Sequence, residues 1–337
     1  MTNVMKLTAL LVTAALTITG CNAPENNSSG TGNQEVAVGG AKFKTADAET
    51  AKLGSDAQPG QFPRTITHAA GTTEIKQKPQ RIVVLESGEL DAVVSLGLTP
   101  VGMTTTKGEN PIPSYLADKV KDVKTVGTIN EVNVEAIAAL QPDLILGNQL
   151  RADKLYPQLS EIAPTVFSIR PGFPWKENFL LVGEALGMEK EAEAKLNEYS
   201  ESVSELGKSV PEGTTVSTVR FMPGKLRLYG RKSLIGVILQ DAGLARPAEQ
   251  DVDDLAVEIS PETIDKAAGS VIFYSSYGSP DATGETAVVN SASWKALPAV
   301  SGGNAKRVND DVWFLGLGPT GAMQIVKDLE QQLPKKA

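Results

Sequence analysis

The sequence contains very few of the side chains that most often carry catalysis or bind metals. Its 337 residues include one cysteine, Cys21, and one histidine, His68. A lone cysteine cannot form an internal disulfide. With one histidine, zinc and haem lack their preferred ligands, and a histidine-dependent triad has no base except His68. We therefore predict no catalytic residues, metal ligands or cofactor, although a carboxylate pair assembled by the fold stays open as an alternative.

Basic side chains and long apolar runs are also scarce. Lys and Arg number 32 against 40 Asp and Glu, which gives a formal charge of -8. A negative chain is a poor candidate for binding nucleic acid or anionic lipid by charge alone. The apolar run from Leu7 to Leu16 is shorter than the ~20 residues that span a bilayer. We therefore expect no nucleic-acid partner, and no membrane span from this run.

Cys21 follows a segment that is typical of export. Residues 1–20 have a basic start at Lys6, an apolar stretch and small residues before the cysteine, as a signal peptide does. The letters TITGC resemble the lipobox of bacterial lipoproteins, in which the cysteine becomes the new N-terminus and carries the lipid. The resemblance implies an exported protein anchored to the cell membrane through Cys21, on the extracellular or periplasmic side. An ordinary signal peptide with a chance cysteine, or an uncleaved anchor, is the alternative.

Composition and periodicity divide the rest of the chain. Residues 21–60 are rich in Asn, Ser, Gly and Ala, which predicts a disordered linker after the lipidated cysteine. Strand and helix patterns then alternate at short spacing, which predicts α/β lobes with mainly parallel sheets flanked by helices. One long helical pattern separates two such regions. We predict an N-terminal lobe at 61–188, a rigid connecting helix at 189–210 and a C-terminal lobe at 211–337.

Two adjoining stretches near the end of the chain need separate interpretation. VWFLG, residues 312–316, has the pattern of a last strand. GLGPTG, residues 316–321, fits G-x-G-x-x-G, but the chain ends 16 residues later, before the βαβ unit and acidic residue of a dinucleotide site could follow. Pro319 also removes one backbone N–H from the phosphate cradle. We predict a tight strand-to-helix turn here.

Four longer stretches resemble a single family. They are RIVVLESGELDAVVSLGLTPVGMT, VNVEAIAALQPDLIL, PWKENFLLVGEALG and LIGVILQDAGLARP. Together with the lipobox they are similar to the substrate-binding lipoproteins of bacterial iron-siderophore ABC importers, and the resemblance covers the chain from about Phe62 to Leu333. It implies the class III periplasmic-binding-protein fold, with two Rossmann-like lobes, one long connecting helix and a ligand cleft between the lobes. It also implies a monomer that serves an ABC permease and is not an enzyme.

Two glutamates occupy matching places in the two halves of the sequence. Glu135 lies in NVEAIAALQPDL and Glu262 lies in SPETIDKAAGSV. The family uses one exposed glutamate near the top of each lobe to pair with arginines of the permease, so the resemblance implies permease docking for both. The alternative is that each is a first-turn glutamate favoured by a helix dipole.

Candidate ligand residues come from the loops that follow strands, where ligands sit in open α/β sheets. Strand alternation allows some neighbouring residues to face the cleft as well. Around Arg220 we expect most of the cluster Lys225, Arg227, Arg231 and Lys232 to point outward. The predicted ligand-binding residues are Arg170, Trp175, Arg220, Met222, Tyr229, Tyr274 and Trp313.

The implied ligand is a ferric siderophore whose iron is already saturated, so the protein would supply no iron ligand and no cofactor. Neutral hydroxamate complexes suit aromatic walls with one or two arginines, whereas trianionic catecholate complexes favour several converging cations. We expect a hydroxamate complex, although Asn130 stands where some hydroxamate binders of the family have an arginine. A cobalamin or haem carrier of the same fold, or a cell-surface hydrolase, is the alternative.

Overall fold

The computed structural model describes residues 42–107 and 110–336, all of which belong to one compact unit. The predicted signal peptide and the predicted lipidation site Cys21 lie outside the described residues. Within them, no helix combines the length and apolarity that crossing a bilayer requires.

The end of the predicted linker is folded, which corrects that prediction for residues 42–60. Helix α1 spans Ala46–Thr50, and Phe43, Ala46 and Thr50 are all buried. Phe43 packs with Ile169 and Phe173 in a small apolar cluster. Composition did not predict this folded segment, because Phe43 is a single aromatic residue among many small polar ones.

The first lobe is built on a six-stranded sheet with the order β6-β5-β4-β3-β7-β8, in which all pairs but β5–β6 are parallel. A separate antiparallel hairpin, β1–β2, precedes it. The strands are β1 Arg64–His68, β2 Gly71–Ile75, β3 Ile82–Val84, β4 Gly102–Thr105, β5 Lys124–Thr128, β6 Glu131–Val132, β7 Leu144–Asn148 and β8 Thr165–Ser168. The helices are α2 Ser87–Ser95, α3 Ser114–Ala117, α4 Val134–Ala139, α5 Gln149–Ala152, α6 Tyr156–Ile162 and α7 Trp175–Leu186, with a 3-10 turn at Asp153–Leu155.

A single long helix, α8, connects the two sheets and spans Glu189–Ser209. Its buried side chains recur at helical spacing, so one face packs on the protein and the other meets solvent. Helix α7 ends at Gly187 in the left-handed conformation, which lets the chain turn directly into α8.

The second lobe is built on a five-stranded mixed sheet with the order β11-β10-β9-β12-β13. VWFLG does not form the predicted last strand; its first residues end a short helix, and the edge strand is Ala305–Arg307. The strands are β9 Val216–Met222, β10 Lys225–Tyr229, β11 Ala256–Ile259, β12 Val271–Ser276 and β13 Ala305–Arg307. The helices are α9 Leu234–Asp241, α10 Glu285–Asn290, α11 Ala292–Lys295, α12 Pro298–Ser301, α13 Asp310–Trp313 and α14 Pro319–Gln332, with 3-10 turns at Ala248–Gln250 and Pro261–Ala267.

These sheets confirm the predicted α/β class, with two lobes of parallel-rich sheets flanked by helices. The GLGPTG segment leads into α14 as a tight turn, and it holds a carboxylate of the protein itself. The buried side chain of Asp91 in α2 accepts hydrogen bonds from the backbone N–H groups of Thr320 (3.1 Å) and Gly321 (2.9 Å). The turn thus ties the second lobe to the first.

Candidate ligand-binding cleft

A tight hairpin between β9 and β10 sets the direction of several cleft side chains. Pro223 and Gly224 form its turn, and Gly224 has a φ of 77°, which glycine adopts without strain. In the resulting register Arg220 lies opposite Arg227. Because residues two apart on a strand share a face, Met222 and Tyr229 point the same way as these arginines.

This face borders a cavity of about 290 Å³ between the lobes. The first lobe contributes Arg151 and the loop Arg170–Gly172, and the rest comes from the second lobe and the turn before α14. Within the described part of the chain, the lining includes five cationic side chains and no carboxylate, and its apolar part contains four aromatic rings. The cations are Arg151, Arg170, Arg220, Arg227 and Lys232, and the aromatic residues are Tyr229, Tyr277, Trp313 and Phe314.

Arg220 is the most extensively held of these cations. Its Nε and Nη2 donate to the two carboxylate oxygens of Asp310 at 2.7 and 2.5 Å, and Nη1 donates to the Tyr229 hydroxyl at 3.3 Å. The guanidinium carbon lies 4.7 Å from the ring centre of Tyr277 and 5.0 Å from that of Phe314. Burial works against the charge, but Tyr229 and Asp310 outweigh it and raise the pKa of Arg220 above its ordinary value. Arg220 is therefore charged and fixed in place.

Carboxylates outside the cavity hold three more of the cations. Arg227 donates to Glu258, its cross-strand neighbour, at 2.8 and 3.0 Å. Arg151 donates to the buried carboxylate of Glu86. Lys232 lies 3.8 Å from Asp47 and 3.7 Å from Asp253. These acids fix the cations without adding negative charge to the cavity wall.

Arg170 lies against two aromatic rings. Its guanidinium carbon lies 4.5 Å from the ring centre of Phe43 and 5.1 Å from that of Phe173. Burial lowers the pKa of Arg170 to about 10. The side chain is therefore still protonated near neutral pH.

The structure brings five of the seven predicted ligand residues to this cavity: Arg170, Arg220, Met222, Tyr229 and Trp313. Trp313 arrives there from helix α13 instead of a strand. Its side chain is fully buried. The ring packs on Phe273, with 4.7 Å between the ring centres, and the indole N–H donates to Asp328. It supplies a wall more than a protruding contact.

Trp175 and Tyr274 do not line the cavity, so the structure corrects both predictions. Trp175 begins helix α7, and its ring packs edge-on against Tyr199 of α8 at 4.8 Å. Tyr274 lies inside β12 and packs against Phe221 and Trp294. Both rings are taken up by packing between elements of the fold.

From the sequence we missed some residues that line the cavity and expected others to point outward. Arg227 and Lys232 face the cavity, whereas Lys225 and Arg231 do not. Arg151 follows β7, and Tyr277 follows β12, so the loops-after-strands rule could have found both. Asn130, the expected departure from hydroxamate binders, is not part of this lining.

Glu135 and Glu262 lie far apart in sequence at the starts of two short helical segments. Both are exposed, Glu135 in the first turn of α4 and Glu262 in the first turn of the 3-10 segment Pro261–Ala267. A hydrogen bond from Ser260 lowers the pKa of the Glu262 carboxyl. The docking role of this pair stays a prediction.

No group of three or more His, Cys, Asp or Glu side chains within residues 42–107 and 110–336 is arranged to hold a metal ion. The chemistry of the cleft is instead that of a cationic, aromatic binding surface. It can attract an anionic ligand, donate charge-assisted hydrogen bonds to its oxygens and stack on its flat parts.

Comparison with known proteins agrees with this geometry. The model of the periplasmic binding protein family matches residues 82–311. The Bacillus subtilis protein named probable siderophore-binding lipoprotein YfiY is 38% identical over 281 residues, which cover 79% of this chain and 86% of YfiY. The Fe(3+)-citrate-binding protein YfmC of the same organism is 27% identical over 336 residues, covering 97% and 96% of the two chains.

A solved structure extends the likeness from the sequence to the fold. Staphylococcus aureus SirA complexed with staphyloferrin B superposes with a TM-score of 0.72 and 34% sequence identity. The match covers 81% of this chain and 99% of SirA.

Proposed function

Because this chain belongs to the periplasmic binding protein family, we propose that it is the receptor of a siderophore ABC importer and binds an anionic ferric chelate between its lobes. The family consists of binding proteins, so the chain is a binding protein and not an enzyme. The cargo is an iron chelate that arrives complete, with the chelator supplying every iron ligand. The protein then needs no cofactor and no metal site of its own.

The charge of the cavity carries the choice of ligand. Among the described residues five cations and no carboxylate line it, so the wall presents a positive surface that a neutral hydroxamate complex would not complement. An anionic complex, with carboxylate or catecholate oxygens, would instead accept charge-assisted hydrogen bonds from the guanidinium groups. We therefore favour an anionic chelate over the hydroxamate complex expected from the sequence. The name of YfmC, an Fe(3+)-citrate-binding protein, supports a carboxylate chelate, whereas the name of YfiY supports a siderophore without specifying its class.

Tryptophan fluorescence tests the proposal directly, because Trp313 is part of the cavity wall. The purified chain would be titrated with ferric citrate, a ferric tris-catecholate, ferrioxamine, cyanocobalamin and haem. We expect quenching by at least one of the two anionic ferric chelates at concentrations where ferrioxamine has little effect. Saturable quenching only by cobalamin or haem, or by none of the five, would refute the proposal.

Arg220 gives a matched pair of variants. Arg220→Ala removes a buried cation from the cavity, and we expect it to weaken binding of the chelate by about 1.5–3 kcal/mol, the range for a hydrogen bond to a charged group. Arg231→Ala is the control, because Arg231 pairs with Asp251 outside this cavity. If the two variants bind alike, Arg220 is not part of the site.

The finer parts of the proposal concern attachment and delivery. A monomer anchored by lipid on Cys21 would hold the loaded receptor at the membrane. Glu135 and Glu262 would then steer it onto the permease, since exposed charges act more on encounter and orientation than on affinity. Cells that carry Glu135→Ala with Glu262→Ala should lose iron uptake while the purified variant keeps its affinity. Normal uptake by that strain would contradict the docking role.

The lipid anchor is tested separately. Cys21→Ala should release the protein from membranes.

A further inference from the structure

The segment Lys42–Thr50 lies at the end of a stretch whose composition resembles a spacer, yet it packs against both lobes. Phe43 is 7% exposed and Ala46 is 0% exposed. They pack with Ile169 and Phe173 of the first lobe, and the partly buried Val237 and Leu255 of the second lobe join this cluster. The neighbouring Lys42 donates to Gln149 at 2.8 Å. The segment therefore bridges the two lobes.

The ring of Phe43 lies beside two of the five cations that line the cavity. The guanidinium carbon of Arg170 is 4.5 Å from its centre, and the ammonium nitrogen of Lys232 is 5.6 Å from it. Phe173 meets the same ring edge-on at 5.4 Å and is itself 5.1 Å from Arg170 and 5.5 Å from Lys232. Two rings and two cations thus form one cluster across the lobes.

Several features keep this cluster in one arrangement. Lys232 is 9% exposed and Arg170 is 2% exposed, so neither cation can swing freely into water. Asp47, in the first turn of α1, lies 3.8 Å from the Lys232 ammonium. An aromatic face attracts a cation electrostatically, and the attraction grows as water is excluded. The segment thus supplies both an aromatic and an acidic partner to the wall of the cavity.

We propose that Lys42–Thr50 supports the ligand site from behind the cavity wall, and that Phe43 is a positioning residue that holds Arg170 and Lys232 toward an anionic ligand. This inference rests on the proposed function and deepens it. Without the ring, both cations lose a partner that keeps them at the cavity wall, and an anionic chelate must order them on binding. Loss of the Phe43 ring should therefore lower the affinity for anionic ligands, and not only the stability of the fold.

Leucine and tyrosine variants of Phe43 separate the aromatic face from simple packing. Phe43→Leu keeps apolar volume but removes the ring, and we expect it to weaken binding of ferric citrate or the ferric tris-catecholate about five-fold. Phe43→Tyr keeps the ring and should stay within about two-fold of wild type. The matched control is Phe62→Leu, because the Phe62 ring lies 4.7 Å from the guanidinium of Arg64, which does not line the cavity. Phe62→Leu should leave affinity unchanged.

A double-mutant cycle tests whether Phe43 acts through the cations. If it does, Phe43→Leu and Lys232→Gln should weaken binding by less than the product of their separate effects, since both damage one cluster. Thermal unfolding of each variant checks that the protein stays folded at the titration temperature. If the fold losses of the two single variants multiply fully in the double variant, or if Phe43→Leu binds with wild-type affinity, the positioning role is overturned. The proposed function stays intact in either case. Failure of the wild-type chain to bind any chelate would instead refute the proposed function, and this inference with it.

Discussion

The charged residues of the cleft are held in advance of any ligand. Arg220 is bidentate on Asp310, and Arg227 donates twice to Glu258. Holding a long side chain in place reduces the rotamer entropy that a ligand would otherwise have to remove on binding. Because these contacts depend on the planar guanidinium, lysine would not replace either arginine conservatively. A cationic site thus stays ordered despite the repulsion among its members.

His68 has a separate role, in stability. It is 3% exposed, and its Nδ1 accepts from the backbone N–H groups of Ala70 (3.3 Å) and Phe167 (3.4 Å). These bonds require an unprotonated Nδ1, so Nε2 carries the proton and donates to Thr73 at 2.9 Å. Burial lowers the pKa of His68 to about 4.

This pKa predicts a loss of stability in mild acid. The unfolded chain binds a proton at His68 below about pH 6.5, whereas the folded chain does so only near pH 4. Unfolding therefore becomes easier as pH falls through that window, by about 3 kcal/mol from this residue. Urea unfolding of wild type and His68→Gln across the window measures it. The variant should be less stable at neutral pH but lose less on acidification, and parallel losses in the two proteins would contradict the assignment.

At the residue scale, the sequence predicted what depends on local geometry. The loops-after-strands rule and strand alternation led to Arg220, Met222 and Tyr229, and the hairpin register places all three on one common face. The prediction for Tyr274 was wrong because a ring inside a strand can face either side of the sheet. Its position alone does not say which side holds the cleft.

Among the elements, α8 depends on close contact with its neighbour. Gly207 sits where α8 meets the end of α9, and a Cβ at this position would lie 2.0 Å from the carbonyl oxygen of Ala242. The obstacle is backbone, which cannot move aside as a flexible side chain can. This glycine therefore sets how near the two helices approach.

Gly207→Ala is expected to destabilise the protein although alanine is the better helix former. Alanine gains about 1 kcal/mol in helix propensity, but the clash forces the helices apart, and overpacking costs about 1–3 kcal/mol. We expect a net loss of about 1 kcal/mol or more in the free energy of unfolding, measured in urea. Ser204→Ala on the exposed side of α8 is the control and should be neutral or slightly stabilising. A more stable Gly207→Ala protein would show that the contact relaxes freely.

Long periodic elements were predictable, and short ones near the cleft were not. The long helix carries its own signal, with Tyr199, Val203 and Leu206 recurring on one face. VWFLG reads as a strand because it is short and apolar, yet Val312 and Trp313 end the helix that starts at Asp310. Packing against helix α14 determines the conformation of this segment. Local sequence propensity cannot predict such a tertiary contact.

At the scale of the whole molecule, the two lobes are tied together at several points near the cleft. Ser87 donates its hydroxyl to the carbonyl of Leu315 at 3.0 Å, and the backbone N–H of Ser114 donates to Asp311 at 2.7 Å. Asp91 adds a third tie, because it accepts from the hydroxyl of Tyr115 in its own lobe as well as from the turn before α14. A Cβ at Gly318 would lie 2.6 Å from the Cβ of Asp91, so the turn needs glycine for this approach.

Asp91 therefore links the folding of both lobes, and its removal should be felt globally. Asp91→Asn replaces a carboxylate that accepts three hydrogen bonds with a group that can match only some of them, and the turn N–H groups are left partly unpaired. A hydrogen bond to a charged group contributes about 1.5–3 kcal/mol, and because the amide oxygen of asparagine keeps part of these bonds we expect a loss of about 2–4 kcal/mol. Urea unfolding measures the loss. Tyr115→Phe removes only one of the three bonds and should cost about 1 kcal/mol.

Hydrogen exchange distinguishes an interlobe tie from ordinary core damage. In Asp91→Asn the amides of Thr320 and Gly321 should exchange much faster than in wild type, because their acceptor is weakened. The exchange rates of amides inside the sheets, such as those of Val83 and Phe273, should change only as much as the global stability of the variant does. Wild-type protection at the turn would mean that its N–H groups find other partners and that Asp91 does not hold the lobes together. Fast exchange at the turn would instead show that the Asp91 carboxylate holds this interlobe contact closed.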